Sequence, residues 1–278
     1  MPVAERIAQI RVNLERGRWV AQDIPDEFIV VDIAGFRARL VRDGVTVWDE
    51  RVQVGKPFRK TPVFRSKMSY LEMNPTWTVP PTILDEDILP KLRQDLVYLA
   101  DKNMRVLDYE GNEVDPTTLD WAAYNGRNFP YLLRQEPGPE NALGRIKFMF
   151  PNEHLVYLHD TPSKSLFKRN QRAFSSGCIR IENPFRLAEL LLGDERKWGQ
   201  AEILELIESG ETRRVNLPRK VPVLLLYWTV AVDQEDRVLF KPDVYERDGR
   251  VLEALNGDFI FSPPKDAEKW IKAAAAGT

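Results

Sequence analysis

Cysteine is almost missing from this sequence: Cys178 is the only one in 278 residues. A lone cysteine excludes an internal disulfide, and cysteine usage alone assigns no redox compartment. Histidine is nearly as scarce, with only His154 and His159. One thiol and two imidazoles are too few N/S ligands for a protein-only zinc site, and no motif calls for a cofactor. An excess of charge of one sign is lacking too. The 40 Lys and Arg against 42 Asp and Glu give a net charge of −2, which speaks against nucleic acid as a partner. There is no glycine-rich phosphate loop. The longest apolar run, Val221–Val232, is too short for a transmembrane helix of about 20 residues. Its β-branched and aromatic content reads as a buried strand instead. The first residues, Met1-Pro-Val-Ala-Glu-Arg, contain no apolar signal core. Glycine, at 15, is outnumbered by proline, at 20, which suits a loop-rich fold with stiff connections.

With 43% hydrophobic and 29% charged residues, the chain has the composition of an ordinary globular protein with a sizeable core. Val3, Ile7, Ile10 and Leu14 recur at helical spacing, Pro2 suits a first turn and Gly17 a stop. Residues 1–25 are therefore expected to be a helix that docks on the domain and continues a linker from an upstream region. Residues 26–278 are expected to form the main domain. Strand patterns cover Phe28–Ile33, Phe36–Arg42 and Val45–Val54, with Asp43-Gly44 as a hairpin turn, and Val223–Val232 with Arg237–Phe240 as a second hairpin. Strands at both ends of the chain predict one sheet system closed by its N- and C-terminal parts. The expected fold class is α+β, a mixed β-sandwich or barrel-like domain. Residues 82–144 interrupt that framework with a helical pattern over Leu89–Lys102, a polar hairpin around Glu110-Gly111-Asn112 and the turns Asn125-Gly126 and Pro137-Gly138-Pro139. An insertion of this kind is either a lid over a site or a peripheral subdomain. Short helices are expected over Phe185–Leu192 and Ala201–Ser209.

Two segments carry chemistry: His154-Leu-Val-Tyr-Leu-His-Asp-Thr-Pro162 and Phe174-Ser-Ser-Gly-Cys-Ile-Arg-Ile-Glu182. A single cysteine is most often a buried small hydrophobe, and a single histidine is most often structural. Here Ser175-Ser176-Gly177 is a turn signal, so Cys178 stands at the mouth of a strand. Along that strand Ile179 and Ile181 face one way, while Cys178, Arg180 and Glu182 face the other. A cation on the thiol's own face favours the thiolate. His159 ends an apolar strand over Leu155–Leu158 and shares a face with Tyr157. An imidazole at one strand end can reach a thiol at another, take its proton and return it to a leaving amine. His154 lies in a loop and faces the other way.

These motifs resemble the YkuD-type L,D-transpeptidases, in which a histidine precedes a Ser/Thr-His-Gly-Cys segment followed by an apolar residue and Arg or Asn. The sequence here reads His159, then Ser175-Ser176-Gly177-Cys178-Ile179-Arg180. It is most similar to the large YcbB-like branch through Gly55-Lys-Pro57, Asn74-Pro-Thr-Trp-Thr-Val-Pro-Pro81, Lys147-Phe-Met-Phe-Pro-Asn152 and Val156-Tyr-Leu-His-Asp-Thr-Pro162. Ser176 stands where the general signature has a second histidine, which leaves His159 as the base. The resemblance implies that Cys178 attacks a peptidoglycan tetrapeptide stem between diaminopimelate and D-Ala, and that a second stem's side-chain amine resolves the thioester. It also implies main-chain oxyanion donors at Gly177 and Cys178, a His159 ring oriented by a carbonyl, and Ser176 and Tyr157 at the substrate. Reaction with carbapenems, a capping insertion and a periplasmic setting in a Gram-negative bacterium follow from the same likeness. The chain's start resembles the stretch that follows a peptidoglycan-binding domain.

Arg180 has two readings, binding a substrate carboxylate or carbonyl, or pairing with Glu182 or an acid of the insertion. Trp77 is either a site aromatic or a core residue. Competing functions are a carboxypeptidase of the same fold, a sortase-like cysteine transpeptidase and a non-catalytic wall-binding protein. The sortase pattern has a longer His-to-Cys gap and a different pre-cysteine motif, and a dead scaffold predicts a missing nucleophile or base. The pattern fixes no oligomeric state.

Overall fold

A computed structural model describes residues 1–20, 24–233 and 235–258. The chain opens with α1 (Val3–Arg18), then β1 (Glu27–Asp32), β2 (Arg37–Arg42), β3 (Val45–Gly55) and β4 (Phe64–Met73). Asp43 and Gly44 both have positive φ, 50° and 77°, the geometry of a two-residue hairpin turn between β2 and β3. The inserted segment holds β5 (Trp77–Thr78), α2 (Pro81–Ile83), a π-turn (Leu84–Ile88), α3 (Leu89–Leu92), α4 (Val97–Asp101), β6 (Met104–Leu107) and β7 (Leu132–Gln135). The framework resumes with β8 (Ile146–Met149), β9 (Leu158–His159), β10 (Ala173–Ser175), β11 (Ile179–Ile181), α5 (Pro184–Leu192), α6 (Glu195–Trp198), α7 (Gln200–Glu208) and β12 (Arg213–Leu226). A small hairpin, β13 (Val230–Val232) with β14 (Val238–Phe240), and α8 (Asp248–Asn256) complete the described chain.

The large sheet runs β10-β3-β11-β9-β8-β4-β12-β1-β2, and β2 pairs back onto β3. The sheet therefore closes on itself, as the strand patterns at both chain ends predict. Closure is direct: β1 lies parallel to β12, with Ile29 beside Val223 and Val31 beside Leu225. Two edges of β3 are used. The N–H groups of Val52, Val54 and Lys56 point to one edge and donate to the carbonyls of Phe36, Arg172 and Ser175, while β11 occupies the other. The enclosed core includes Ile29, Val31, Leu40, Val52, Met68, Leu71, Phe148, Leu158, Ile179 and Val223, all fully buried. Leu187 and Ala188 of α5 and Ile203 and Ile207 of α7 pack on it.

Several elements differ from their sequence patterns. The α1 stripe of Val3, Ile7 and Leu14 is exposed, and the buried positions are Gln9, Val12 and Arg16. Polar bonds dock this helix: Gln9 Nε2 donates to the carbonyls of Thr229 (2.9 Å) and Lys241 (2.8 Å), and Arg16 pairs with Asp248 at 2.6 Å. The helix over Leu89–Lys102 is split into α3 and α4 because the Asp95 carboxylate accepts the Val97 N–H at 2.9 Å and starts a new helix. The strand expected over Leu155–Leu158 is short, for Asn152 Oδ1 accepts from His154 and Val156 N–H groups and folds that stretch into a turn. The run Val223–Val232 is not one strand: β12 starts at Arg213, ends at Leu226, and bulges between Asn216 and Val221 where Pro218 cannot donate.

The insertion has its own three-stranded sheet, β5-β7-β6, and its own apolar cluster, with Leu89, Leu92, Val106, Trp121 and Leu133. It includes Trp77–Thr78 and so begins before residue 82. Its root is polar. Buried Asn74 donates to the carbonyls of Leu206, Ile207 and Glu211 and accepts from Arg145, while Asn141 donates to the Pro75 carbonyl. Beside them Gly144 adopts φ +63°, and a Cβ there would lie 2.4 Å from Asp160 Oδ2. Gly144→Ala is expected to destabilise the fold by about 2–4 kcal/mol, from the positive φ and the overlap together. Denaturant unfolding followed by circular dichroism measures this, and an unchanged midpoint would refute it.

Candidate active site

Register across the sheet assembles the site. Glu72 on β4 faces Lys147 on β8, Lys147 faces His159 on β9, His159 lies beside Arg180 on β11, and Arg180 faces Gln53 on β3. Directly paired residues project to the same side. Five strands thus contribute one continuous polar row, Glu72–Lys147–His159–Arg180–Gln53. One step along each strand the opposite face carries Leu71, Phe148, Leu158 and Ile179, which seal against the core.

Cys178 precedes β11 and projects to the side of Arg180, level with Tyr157, because the Ile179 N–H donates to the Tyr157 carbonyl at 2.9 Å. The preceding turn is held tightly. Ser175 Oγ donates to the Cys178 carbonyl (2.5 Å) and accepts the Gly177 N–H (3.1 Å), and Thr61 Oγ1 donates to the Gly177 carbonyl (2.8 Å). Gly177 needs its φ of +117°, which a side chain rarely adopts. Its N–H is committed to Ser175, so the oxyanion donor expected there is occupied. Among the described residues no hydrogen bond uses the Cys178 N–H.

His159 is only 3% exposed. Its Nδ1 lies 2.5 Å from the Asp160 carbonyl. A carbonyl can only accept, so Nδ1 carries the proton and Nε2 the lone pair. Burial first, then the charges of Arg180 and Lys147, push the imidazole's pKa down to about 3, and the ring is neutral at physiological pH. The Asp160 side chain turns away, accepting from Arg145 N–H at 2.9 Å and from Lys164 Nζ at 2.5 Å.

The Cys178 thiol is partly exposed, yet burial of its surroundings raises its pKa, against the opposing pull of the Tyr157 N–H, Lys147 and Arg180. Arg180 therefore acts in the expected direction, but desolvation outweighs it and the resting sulfur is a thiol. That thiol donates to the Leu155 carbonyl at 3.9 Å and not to His159.

Arg180 does not pair with Glu182, which is held by both Nε and Nη2 of Arg51 at 2.5 Å each. Among the described residues the contact left to Arg180 is a 3.4 Å bond to Gln53 Oε1, and its buried Nε finds no acceptor there. Tyr157 lines the site with Lys147 Nζ 4.5 Å from its ring centre. Ser176 is exposed and accepts from Arg59 Nη1 at 2.7 Å. Trp77, partly buried, packs against the insertion's own apolar cluster. His154 lies against Phe64 in a tilted pair, with ring centres 5.2 Å apart, outside the polar row. Residue patterns missed Arg59, Thr61 and Tyr245. The first two follow the Gly55-Lys-Pro57 motif, but Tyr245, whose hydroxyl donates to the Gly55 carbonyl at 2.6 Å, has no local signal.

The depressed His159 pKa has a stability consequence. An unfolded histidine takes up a proton near its ordinary pKa of about 6.5, whereas the folded one resists until about 3. Over that interval the unfolded state binds more protons, so stability falls as pH drops through it. NMR of the ring-labelled protein should show no titration of His159 between about pH 5 and 8. A midpoint in that range would refute the neutral assignment.

Comparison with known proteins identifies the family. The family model for the L,D-transpeptidase catalytic domain, YkuD, matches residues 26–216. A Haemophilus influenzae protein named "Putative L,D-transpeptidase" is 38% identical over 240 residues, covering 85% of this chain and 48% of the relative. The chain thus spans about half the length of the curated relative it matches. Solved structures with similarity to it include L,D-transpeptidase 3 from Mycobacterium tuberculosis, at 12% identity and TM-score 0.36 over 73% of this chain and 61% of that one. Another is the catalytic domain of an Enterococcus faecium L,D-transpeptidase acylated by ertapenem, at 13% identity and TM-score 0.32, with coverage of 73% and 99%. The family match and the curated relative together show that this chain belongs to the YkuD family of L,D-transpeptidase catalytic domains.

Proposed function

We propose that the chain is a peptidoglycan L,D-transpeptidase in which Cys178 is the nucleophile and His159 the general base and acid. The observation that carries this reading is the shared sheet face that puts the thiol level with Tyr157, two residues along the strand from a buried, neutral imidazole whose Nδ1 is held at the Asp160 carbonyl. In the proposed step the thiol leaves the Leu155 carbonyl and gives its proton to His159 Nε2 as sulfur attacks the carbonyl between diaminopimelate and D-Ala. The Cys178 N–H, unused by any hydrogen bond among the described residues, is the proposed donor to the developing oxyanion. His159 then returns the proton to the departing D-Ala amine, leaving a thioester. A diaminopimelate side-chain amine on a second stem gives a proton to His159 and attacks the thioester; the thiolate leaves and recovers that proton. With water as acceptor the same steps give a carboxypeptidase. No charge separation is needed before substrate arrives, which suits a site where burial disfavours both ionised forms.

Arg180 is the proposed seat for a carboxylate of the donor stem. Its guanidinium lies in the site with an unused Nε and no carboxylate among the described residues, and a substrate acid would supply the missing charge. Tyr157 and Ser176 would border the donor peptide. The stretches quoted above point to the large YcbB-like branch, with the insertion as its lid and the periplasm of a Gram-negative bacterium as its setting.

Incubation with a carbapenem should add one inhibitor mass to the intact protein and none to Cys178→Ala; equal adducts on both would overturn the nucleophile assignment. With purified disaccharide-tetrapeptide, release of D-Ala together with dimer is expected, and D-Ala without dimer would make the chain a carboxypeptidase. Arg180→Ala should raise KM for the tetrapeptide about 10- to 100-fold, the loss of one charge-assisted contact. An unchanged KM would remove Arg180 from the binding role.

A further inference from the structure

Arg59 joins three parts of the molecule. It lies in the loop between β3 and β4, and its side chain is only 10% exposed. Nη1 donates to Asp87 Oδ2 at 2.6 Å and to Ser176 Oγ at 2.7 Å, and Nη2 pairs with Glu86. Glu86 and Asp87 belong to the π-turn of the insertion, and Ser176 is two residues before Cys178. One guanidinium therefore spans from the insertion to the turn that presents the thiol.

The remaining polar attachments of the insertion lie at its root, around Asn74, Asn141 and Arg145. Among the described residues, Arg59 makes the only side-chain hydrogen bonds between residues 81–135 and the framework. The insertion's apolar cluster is separate from the framework core, so no shared core holds the two together. The loop that carries Arg59 is itself firmly seated. Tyr245, 1% exposed, donates through its hydroxyl to the Gly55 carbonyl and accepts the Thr61 N–H, while Thr61 bonds Gly177. A fixed cation thus faces two carboxylates on the insertion. The carboxylates are half open to solvent, at 54% for Glu86 and 43% for Asp87, so the contact can exchange with water and salt.

We propose that Arg59 is a positioning residue that latches the insertion to the Ser176 turn and sets how often Cys178 is open to a peptide-sized reactant. This rests on the reading that substrate reaches Cys178 from the side the insertion covers. Opening breaks the Glu86 and Asp87 contacts while Arg59 keeps Ser176, so the thiol's turn stays ordered as access is granted.

The test needs no wall chemistry. Cys178 is the single cysteine, so labelling of the intact chain with a bulky maleimide, followed by mass, reports that thiol alone. Glu86→Gln with Asp87→Asn preserves shape at two half-exposed positions. Labelling should run about three- to tenfold faster than in the unmodified chain at low salt, with faster amide exchange across residues 81–135. High salt should raise the unmodified chain toward the variant. Arg59→Glu should label fast, and adding Glu86→Lys and Asp87→Lys should restore the slow rate, a recovery that loss of a merely structural arginine would not show. Equal labelling and exchange in the carboxylate variant, or no recovery on charge reversal, would overturn the latch. Because labelling requires no turnover, that failure would leave the proposed reaction standing, and an inactive enzyme would leave the latch standing.

Discussion

A buried imidazole bonded to a main-chain carbonyl is the constraint around which this site is arranged. His159 sits in the middle of a polar row that crosses five strands, with a cation on either side. Burial and those two charges both disfavour its protonated form, while the Asp160 carbonyl selects which nitrogen holds the single proton. Were Asp160 to offer its carboxylate instead, the ring would be stabilised as an imidazolium. The carboxylate is drawn off to the Arg145 N–H and to Lys164, and Gly144 leaves room for it there. The root of the insertion and the electronic state of the histidine thus depend on the same few atoms.

The same desolvation governs the sulfur. Two nearby cations lower the pKa of Cys178, yet the dry surroundings raise it by more. A resting thiol beside a resting imidazole is less reactive toward adventitious electrophiles than a preformed ion pair. In the proposed reaction, proton transfer accompanies attack, and the cations that fail to ionise the free thiol serve the substrate's own negative charge. Placing charge without a counter-ion costs stability. The bidentate Arg51–Glu182 pair keeps Glu182 from neutralising Arg180, which is how that cost is maintained on the sheet face.

Much of the framework was legible because its signals are local. The strands at Glu27–Asp32, Arg37–Arg42 and Val45–Gly55 follow their alternation and the Asp43-Gly44 turn closely. The helix Pro184–Leu192 ends at left-handed Gly193, a stop that needs no tertiary help. Patterns misled where a side chain overrode periodicity. The apolar stripe of α1 implied the wrong buried face, since Gln9 and Arg16 find carbonyl and carboxylate partners more than two hundred residues away that no helical wheel contains. Asn152 and Asp95 turned expected regular structure into turns through single side-chain bonds.

What the sequence by itself determined was the pair of candidate reactive groups: with one thiol and two imidazoles, a turn before Cys178 and a strand end at His159 left few choices. It also determined that Cys178 and Arg180 share a face, because strand alternation is a property of the backbone. Only the tertiary structure decided what those groups are like. Register between β8, β9 and β11 placed Lys147 and Arg180 on either side of His159, and burial then set both resting protonation states. Glu182 went to Arg51, and Arg59 tied the insertion to Ser176. Alternation along a chain is fixed residue by residue, whereas dielectric, counter-ions and register arise from segments that meet only after folding.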